Sequence, residues 1–331
     1  MTATVRVGLI GLGAMGRNHA RVLGQLDGVE LVAAADPSWV GERLPSGAPV
    51  LPGVTELLAV GVDYAVVACP TALHHEVGLQ LAAAGVHALF EKPLADTVEA
   101  ARSLVEAFAA ADLVGGVGHI ERYNPALQNL RLRLADGELG EIYQVVTRRQ
   151  GPFPARIADV GVVKDLASHD IDLTSWVTGE DYVAVSARTT RRSGREHEDM
   201  VLVVAELSGG SMVSHIVNWL SPLKERSTVV TGERGCFTAD TLSADLTYYR
   251  NGAVQTEWET IRNFRGVAEG DVTRFAIARR EPLVVEHELF RDAVANHDDH
   301  GIVSLSQGLR TVEVADAVLR SAASGQTVTL R

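Results

Sequence analysis

The chain has 331 residues, 46% of them apolar and 22% charged, a balance that excludes bulk disorder and, at this length, suits two domains. Thirty Lys and Arg against forty-two Asp and Glu leave a formal net charge of −12, a field that repels phosphate polyanions, so nucleic acid is not an expected partner. Cys69 and Cys236 are the only cysteines, which excludes a disulfide framework, and with no apolar run of membrane-spanning length and no signal-peptide core after Met1, a cytoplasmic protein is expected.

In chain order, Val5–Ile10 reads as a strand, and Gly11-Leu12-Gly13-Ala14-Met15-Gly16 follows it into a helix over Gly16–Leu26. In this setting Gly11 permits a sharp turn, Gly13 lets backbone approach a pyrophosphate, and Gly16 brings helix and strand together, while the helix N-terminus offers unpaired N–H groups. Ala14 and Met15 lie inside the turn and are candidate cofactor contacts with it. The second strand, Glu30–Ala35, ends at Asp36, 20 residues beyond Gly16, the usual place for a carboxylate that binds adenosine ribose hydroxyls. A phosphate on that ribose would face Asp36 with no cation in Pro37-Ser38-Trp39. NAD is therefore the expected cofactor, with Arg43 the nearest support for NADP.

Tyr64–Ala68 and His87–Phe90 are further strands, followed by Cys69-Pro70-Thr71-Ala72-Leu73-His74 and by Glu91-Lys92-Pro93. Both loops fall on the strand edge where dinucleotides bind, which makes Pro70, Thr71, His74, Glu91 and Lys92 candidate cofactor contacts. His74–Ala84 has helical spacing. Asp96-Thr97-Val98-Glu99 reads as a capping box in which Asp96 accepts from the Glu99 amide, and Leu113–Gly118 is the strand after that helix. Strand and helix taking turns predicts an α/β, doubly wound parallel sheet over residues 1–121.

Over residues 122–331 the pattern changes. Helices are expected at Asn124–Leu134, Leu166–Thr178 and Leu305–Ala322, and strands at Ile142–Arg149, Tyr182–Thr189, Met200–Leu207, Met212–Trp219, Ser227–Thr231, Leu246–Tyr249 and Thr327–Leu330. Turn chemistry such as Ser208-Gly209-Gly210 separates several of them, which predicts an α+β domain with a mostly antiparallel sheet. Asn296-His297-Asp298-Asp299-His300 reads as a polar loop, and no metal site is expected.

The glycine turn, the Pro70-Thr71-Ala72-Leu73-His74 loop and the Glu91-Lys92-Pro93 triplet together resemble the signatures of the Gfo/Idh/MocA family of sugar and inositol dehydrogenases. The resemblance covers the whole chain and implies an NAD(P)-binding Rossmann domain joined to a second domain with an open-faced sheet. An exposed face of that kind is expected to be covered by a second subunit, giving a homodimer or homotetramer. The resemblance also implies that Asp165-Leu166-Ala167-Ser168-His169 completes a catalytic set with Lys92. Ala167 stands where many relatives have glycine, and Lys164 where an apolar residue is frequent. On the predicted helix, four-residue spacing puts Asp165 and His169 on one face, with Asp172 beside them. A narrower resemblance in Gly118–Pro125, Arg148–Ile157 and Asp159–Val163 points to the branch that oxidises carbon 3 of a UDP-linked N-acetylhexosamine. Dehydrogenation of inositol, a sugar phosphate or a free glycoside is the alternative within the family. A non-catalytic NAD-binding sensor is the alternative of another class.

Hydride loss from an alcohol needs a base for the hydroxyl proton. His169 is the candidate base because imidazole titrates nearest neutral pH. Asp165 would orient the ring or balance its charge, and Lys92 would donate to the developing alkoxide and share in the proton transfer. The sequence does not order Lys92 and His169 as first proton acceptor. Arg122, Tyr123, Asn124, Arg148 and Arg156 are candidate substrate contacts, Arg148 and Arg156 by paired hydrogen bonds to a diphosphate.

Overall fold

Six parallel strands form the first sheet of the computed structural model, which describes residues 4–154, 160–252 and 268–330. They are β1 (Val5–Ile10), β2 (Val29–Ala35), β3 (Val50–Leu51), β4 (Tyr64–Val67), β5 (His87–Glu91) and β6 (Gly115–Gly118), in the spatial order β3-β2-β1-β4-β5-β6. The sequence runs as apolar stretches there because both faces are covered: Val7, Leu9, Tyr64, Val66, Ala88 and Phe90 are fully or almost fully buried. The intervening helices are α1 (Ala14–Leu23), α2 (Val54–Val60), α3 (His74–Ala83) and α4 (Val98–Ala110). The expected capping box before α4 shifts by one residue. Thr97 is the extended residue at the helix start, and its hydroxyl accepts the Ala100 N–H at 3.1 Å.

The second sheet has nine strands. In chain order come α5 (Pro125–Ala135), β7 (Ile142–Pro152), a turn of π-helix (Val163–Ala167) and α6 (Ser168–Thr178). Then follow β8 (Tyr182–Thr190), β9 (Met200–Leu207), β10 (Met212–Asn218), β11 (Leu220–Gly232), β12 (Gly235–Asp240), β13 (Asp245–Gly252), β14 (Ala268–Arg274) and β15 (Val328–Thr329). Their order is β14-β13-β12-β11-β7-β10-β9-β8-β15, antiparallel throughout except for the β7–β10 pair. One face is covered and the other open. Along β9, Val201, Val203, Ala205 and Leu207 are buried, whereas Leu202 and Val204 between them are 48% and 54% exposed.

The chain divides into two units, but not by one cut near residue 121. Unit 1 is Met1–Ile120 with Glu281–Asp316, and unit 2 is Glu121–Arg280 with Ala317–Arg331. The single span 122–331 expected for the second domain is corrected by two helices, α7 (Pro282–Asn296) and α8 (Leu305–Ser324), the second of which contains the return to unit 2. Phe290 and Ala293 of α7 and Ile302 join the core that β1 and β4 supply through Leu9, Tyr64 and Val66. The Val303 carbonyl accepts the Val117 N–H at 2.9 Å along the edge of β6. Gly115 and Gly116 make that edge thin enough: a Cβ on either would collide with Leu305 or Phe290. Among the described residues no helix is long and apolar enough to cross a membrane.

Candidate active site

The carboxyl ends of β1, β2, β4 and β5 share one edge of the first sheet, and the glycine turn, Asp36, the Pro70 loop and Lys92 stand on it. Gly11 has φ +91°, and a Cβ there would lie 2.6 Å from the Cys69 nitrogen, so the turn requires glycine. A Cβ on Gly16 would strike the Gly11 carbonyl oxygen. At Gly13 it would meet nothing within 4 Å. Gly13 is also the N-cap of α1 and brings no capping side chain, so the first amides of the helix remain for an outside acceptor.

Asp36 is drawn into this turn. Its Oδ2 accepts the Leu12 N–H at 2.7 Å, and its Oδ1 accepts from the Ser38 N–H at 2.8 Å and the Ser38 hydroxyl at 2.6 Å. Burial works against its charge, but the bonds from Ser38 and Leu12 outweigh it and hold its pKa below the ordinary carboxylate value. The carboxylate is thus ionised and aimed before any ligand arrives.

After β4 a 3₁₀ turn, Thr71–Leu73, carries Thr71 behind an exposed Pro70. His74 is placed differently from the cofactor contact expected of it, since it is 1% exposed. Its ring nitrogens face the carbonyls of Cys69 at 3.1 Å and of Pro93 and Leu94 at 3.2 Å. Burial holds the ring below its ordinary pKa despite those carbonyls, so a neutral His74 acts as a strut between the loops after β4 and β5. Burial likewise pushes the Cys69 thiol up to about 11, which keeps it protonated at neutral pH. Lys92 follows β5, and its N–H is accepted by Glu91 Oε2 at 3.2 Å.

In unit 2 the Asp-x-x-x-His segment is not a plain α-helix. Asp165 lies in the π turn and His169 in the first turn of α6, so spacing measured on an α-helix does not carry over unchanged. Glu198 holds the entry: its Oε1 accepts the Val163 N–H at 3.1 Å and its carbonyl the Val162 N–H at 2.9 Å. The Glu198 carboxylate fills the space where a Cβ on Gly161 would go.

Ion pairs brace α6 from below. Arg149 donates from Nε to Asp170 at 2.9 Å and from Nη1 to Glu121 at 2.7 Å, while Arg122 donates to both oxygens of Asp172 at 2.9 and 2.6 Å. Burial opposes the Arg149 charge, yet Asp170 and Glu121 outweigh it and raise its pKa. Beside them His215 bridges Thr147 and Tyr182 at 2.7 Å each, and burial with the Arg149 charge pushes its pKa down to about 3, leaving a neutral ring.

Residues 5–119 match the model of an oxidoreductase family with an NAD-binding Rossmann fold, and residues 127–238 match the Gfo/Idh/MocA C-terminal domain. The chain belongs to the Gfo/Idh/MocA oxidoreductase family. It is similar to the UDP-N-acetylglucosamine 3-dehydrogenase of Acidithiobacillus ferrooxidans, 31% identical over 88% of this chain and 90% of that one. A solved structure of a UDP-N-acetylglucosamine 3-dehydrogenase from that organism has a TM-score of 0.82 and 27% identity, covering 97% of this chain and 98% of that one. Inositol 2-dehydrogenase 2 of Saccharopolyspora erythraea is 28% identical over 98% of this chain and 95% of its own. This Gfo/Idh/MocA member is an NAD-dependent dehydrogenase, and the open space at Gly13, the uncapped amides of α1 and the ionised Asp36 fit that cofactor.

Several residues expected to touch substrate are engaged within unit 2 instead. Arg122 is 7% exposed and committed to Asp172, Tyr123 is buried, and Asn124 caps α5 by accepting the Ala126 N–H at 3.0 Å while donating to the Thr241 carbonyl at 3.0 Å. Arg148 alternates with inward-facing Thr147 and Arg149, so it sits on the open face of the sheet, opposite the face that grips α6. Arg156 lies outside the described residues. Sequence reasoning passed over Arg149, Asp170 and Glu198. One signal for Arg149 was present: it continues the inward register of Val145 and Thr147, where a charge demands a buried partner.

Proposed function

We propose that this dehydrogenase oxidises a secondary hydroxyl, on carbon 3, of a nucleotide-linked hexose such as a UDP-N-acetylhexosamine. The likeness to the Acidithiobacillus ferrooxidans enzyme carries this reading, because at 90% of that chain it extends through both units rather than the cofactor-binding one alone. In this reading Gly11, Gly13, Ala14 and Met15 receive the pyrophosphate and Asp36 the adenosine ribose, with Pro70, Thr71, Glu91 and Lys92 as further contacts from neighbouring strand ends. Bound NAD supplies the hydride acceptor. His169 takes the hydroxyl proton, Asp165 orients the imidazole, and Lys92 donates a hydrogen bond to the oxygen as it becomes a carbonyl. A second copy of the chain covers the open sheet face around Leu202, Val204 and Met212, and light scattering that finds only monomer would count against this.

Inositol is the second reading, favoured by the 98% coverage of this chain in its match to inositol 2-dehydrogenase 2. Incubation with NAD and a panel of UDP-sugars, sugar phosphates and cyclitols separates the two by growth of reduced-nicotinamide absorbance. Turnover confined to phosphate-free polyols would refute the nucleotide-sugar assignment. With the true substrate, Lys92→Ala and His169→Ala should each lower kcat by about 100-fold or more, the scale of positioned acid–base groups, while NAD still binds.

A further inference from the structure

Behind Lys92, unit 1 holds two histidines, linked to Glu91, that the reaction described above does not use. His19 of α1 is 1% exposed, and its Nε2 lies 2.8 Å from Glu91 Oε1. Its Nδ1 lies 2.8 Å from Nε2 of His287 on α7, itself fully buried, the two rings meeting edge to face at 5.0 Å between centroids. The other Glu91 oxygen accepts the Lys92 N–H. We propose that His19 and His287 are positioning residues for Lys92, acting through Glu91: they hold that carboxylate in one orientation against the lysine's own peptide.

The proton inventory gives the row a direction. Burial, with His19 beside it, holds His287 well below its ordinary pKa, so the ring is neutral and carries one N–H. Among the described residues His287 Nδ1 has no hydrogen-bond partner. An unfilled lone pair is the tolerable orphan there, so we assign the N–H to Nε2, donating to His19 Nδ1; His19 then donates from Nε2 to Glu91. The titratable groups that face Glu91 include His19 from α1, Lys92 beyond β5, His74 from α3 and Glu286 from α7. Burial pushes the Glu91 carboxyl up, but the His19 bond, the Lys92 charge and the Lys92 N–H more than offset it, and Glu91 ends below the ordinary range. Burial and the Glu91 charge hold Glu286 well above it, so the neighbouring carboxyl stays neutral. Glu91 is thus an ionised carboxylate beside Lys92, tied to the helix that follows the glycine turn.

This inference rests on Lys92 serving the reaction, and its test has an arm that needs no turnover. Glutamine at 287 places an amide N–H where Nε2 stands, whereas asparagine falls short of it. His287→Gln should keep kcat within about twofold of wild type, while His287→Asn and His287→Leu should lower it about tenfold, the scale of outer hydrogen-bond partners, with KM for NAD little changed and the pH profile displaced. Without substrate, carboxyl carbon NMR should find the Glu91 titration midpoint raised in His19→Leu and in His287→Asn but not in His287→Gln. Equal kcat and pH profile for the glutamine and asparagine variants, or an unmoved Glu91 midpoint, would overturn the proposal. Absence of turnover in wild type with a displaced Glu91 midpoint in the variants would instead strike the dehydrogenase reading and leave the clamp standing.

Discussion

Arg149 Nε and Asp170 Oδ2 are 2.9 Å apart with both side chains almost wholly buried, and Asp170 directly follows His169. The contact fastens β7 to α6, so it sets where the His169 backbone stands. Removing Arg149 leaves Asp170 as a buried, uncompensated charge, and removing Asp170 leaves the buried Arg149 with Glu121 alone. Arg149→Met and Asp170→Leu should therefore each cost about 3–5 kcal/mol in urea unfolding, and the double variant less than their sum. Strict additivity of the two losses would mean that the pair is not coupled.

Two glycines of one turn should fail in different ways. Gly11→Ala puts a methyl group into the Cys69 backbone at a φ that only glycine adopts easily, so the variant should lose stability as well as cofactor. Gly13→Ala meets open space, so it should melt like wild type yet bind NAD at least about tenfold more weakly, because the backbone no longer admits a pyrophosphate. Calorimetry and cofactor titration of both proteins read this directly. Unaltered NAD affinity in Gly13→Ala would remove the turn from the binding site.

Asp36 offers a further separation. The carboxylate is held by Leu12 and Ser38, and a charged hydrogen bond to a ribose hydroxyl contributes about 1.5–3 kcal/mol, so Asp36→Ala should weaken NAD binding by roughly 10–100-fold. NADP should lose less, since its extra phosphate is no longer repelled. Equal losses for the two cofactors, measured by tryptophan fluorescence, would argue against the carboxylate as the selector.

The alternation of strand and helix in unit 1 was legible because both faces of a parallel sheet are covered and its strands are written as apolar runs. The open sheet was legible in β9 and β10, where the buried set repeats every second residue through 201–207 and 213–217. It was less so in β12, where Cys236, Thr238 and Asp240 share a partly exposed face and only Phe237 and Ala239 on the other face give an apolar signal. The return of Glu281–Asp316 to unit 1 was hidden, since nothing local in Phe290 or Ile302 says which core will take them. Of the candidate site, the residues that local turns create, Gly11, Gly13 and Asp36, could be read from spacing. Arg122 could not, because its partner Asp172 is 50 residues away and only folding brings them together. The same holds for His19 and His287, 268 residues apart.

Glu286 turns the buried row behind Lys92 into a pH-dependent stability term. Among the described residues neither of its carboxyl oxygens has a hydrogen-bond partner, and burial with the nearby Glu91 charge holds its pKa well above the ordinary value. Between the unfolded and folded pKa values the native state keeps a proton that the unfolded chain has lost, so stability falls as pH rises through that window. Each unit of displacement corresponds to about 1.4 kcal/mol. Glu286→Gln has nearly the same shape and no proton to hold. It should match wild type near pH 4, where both chains carry a neutral side chain, and exceed it at pH 7–8 by roughly 2 °C or more in Tm. A gain of equal size at both pH values would come from packing and not from the carboxyl, and a loss at neutral pH would show that Glu286 is ionised and paired in solution.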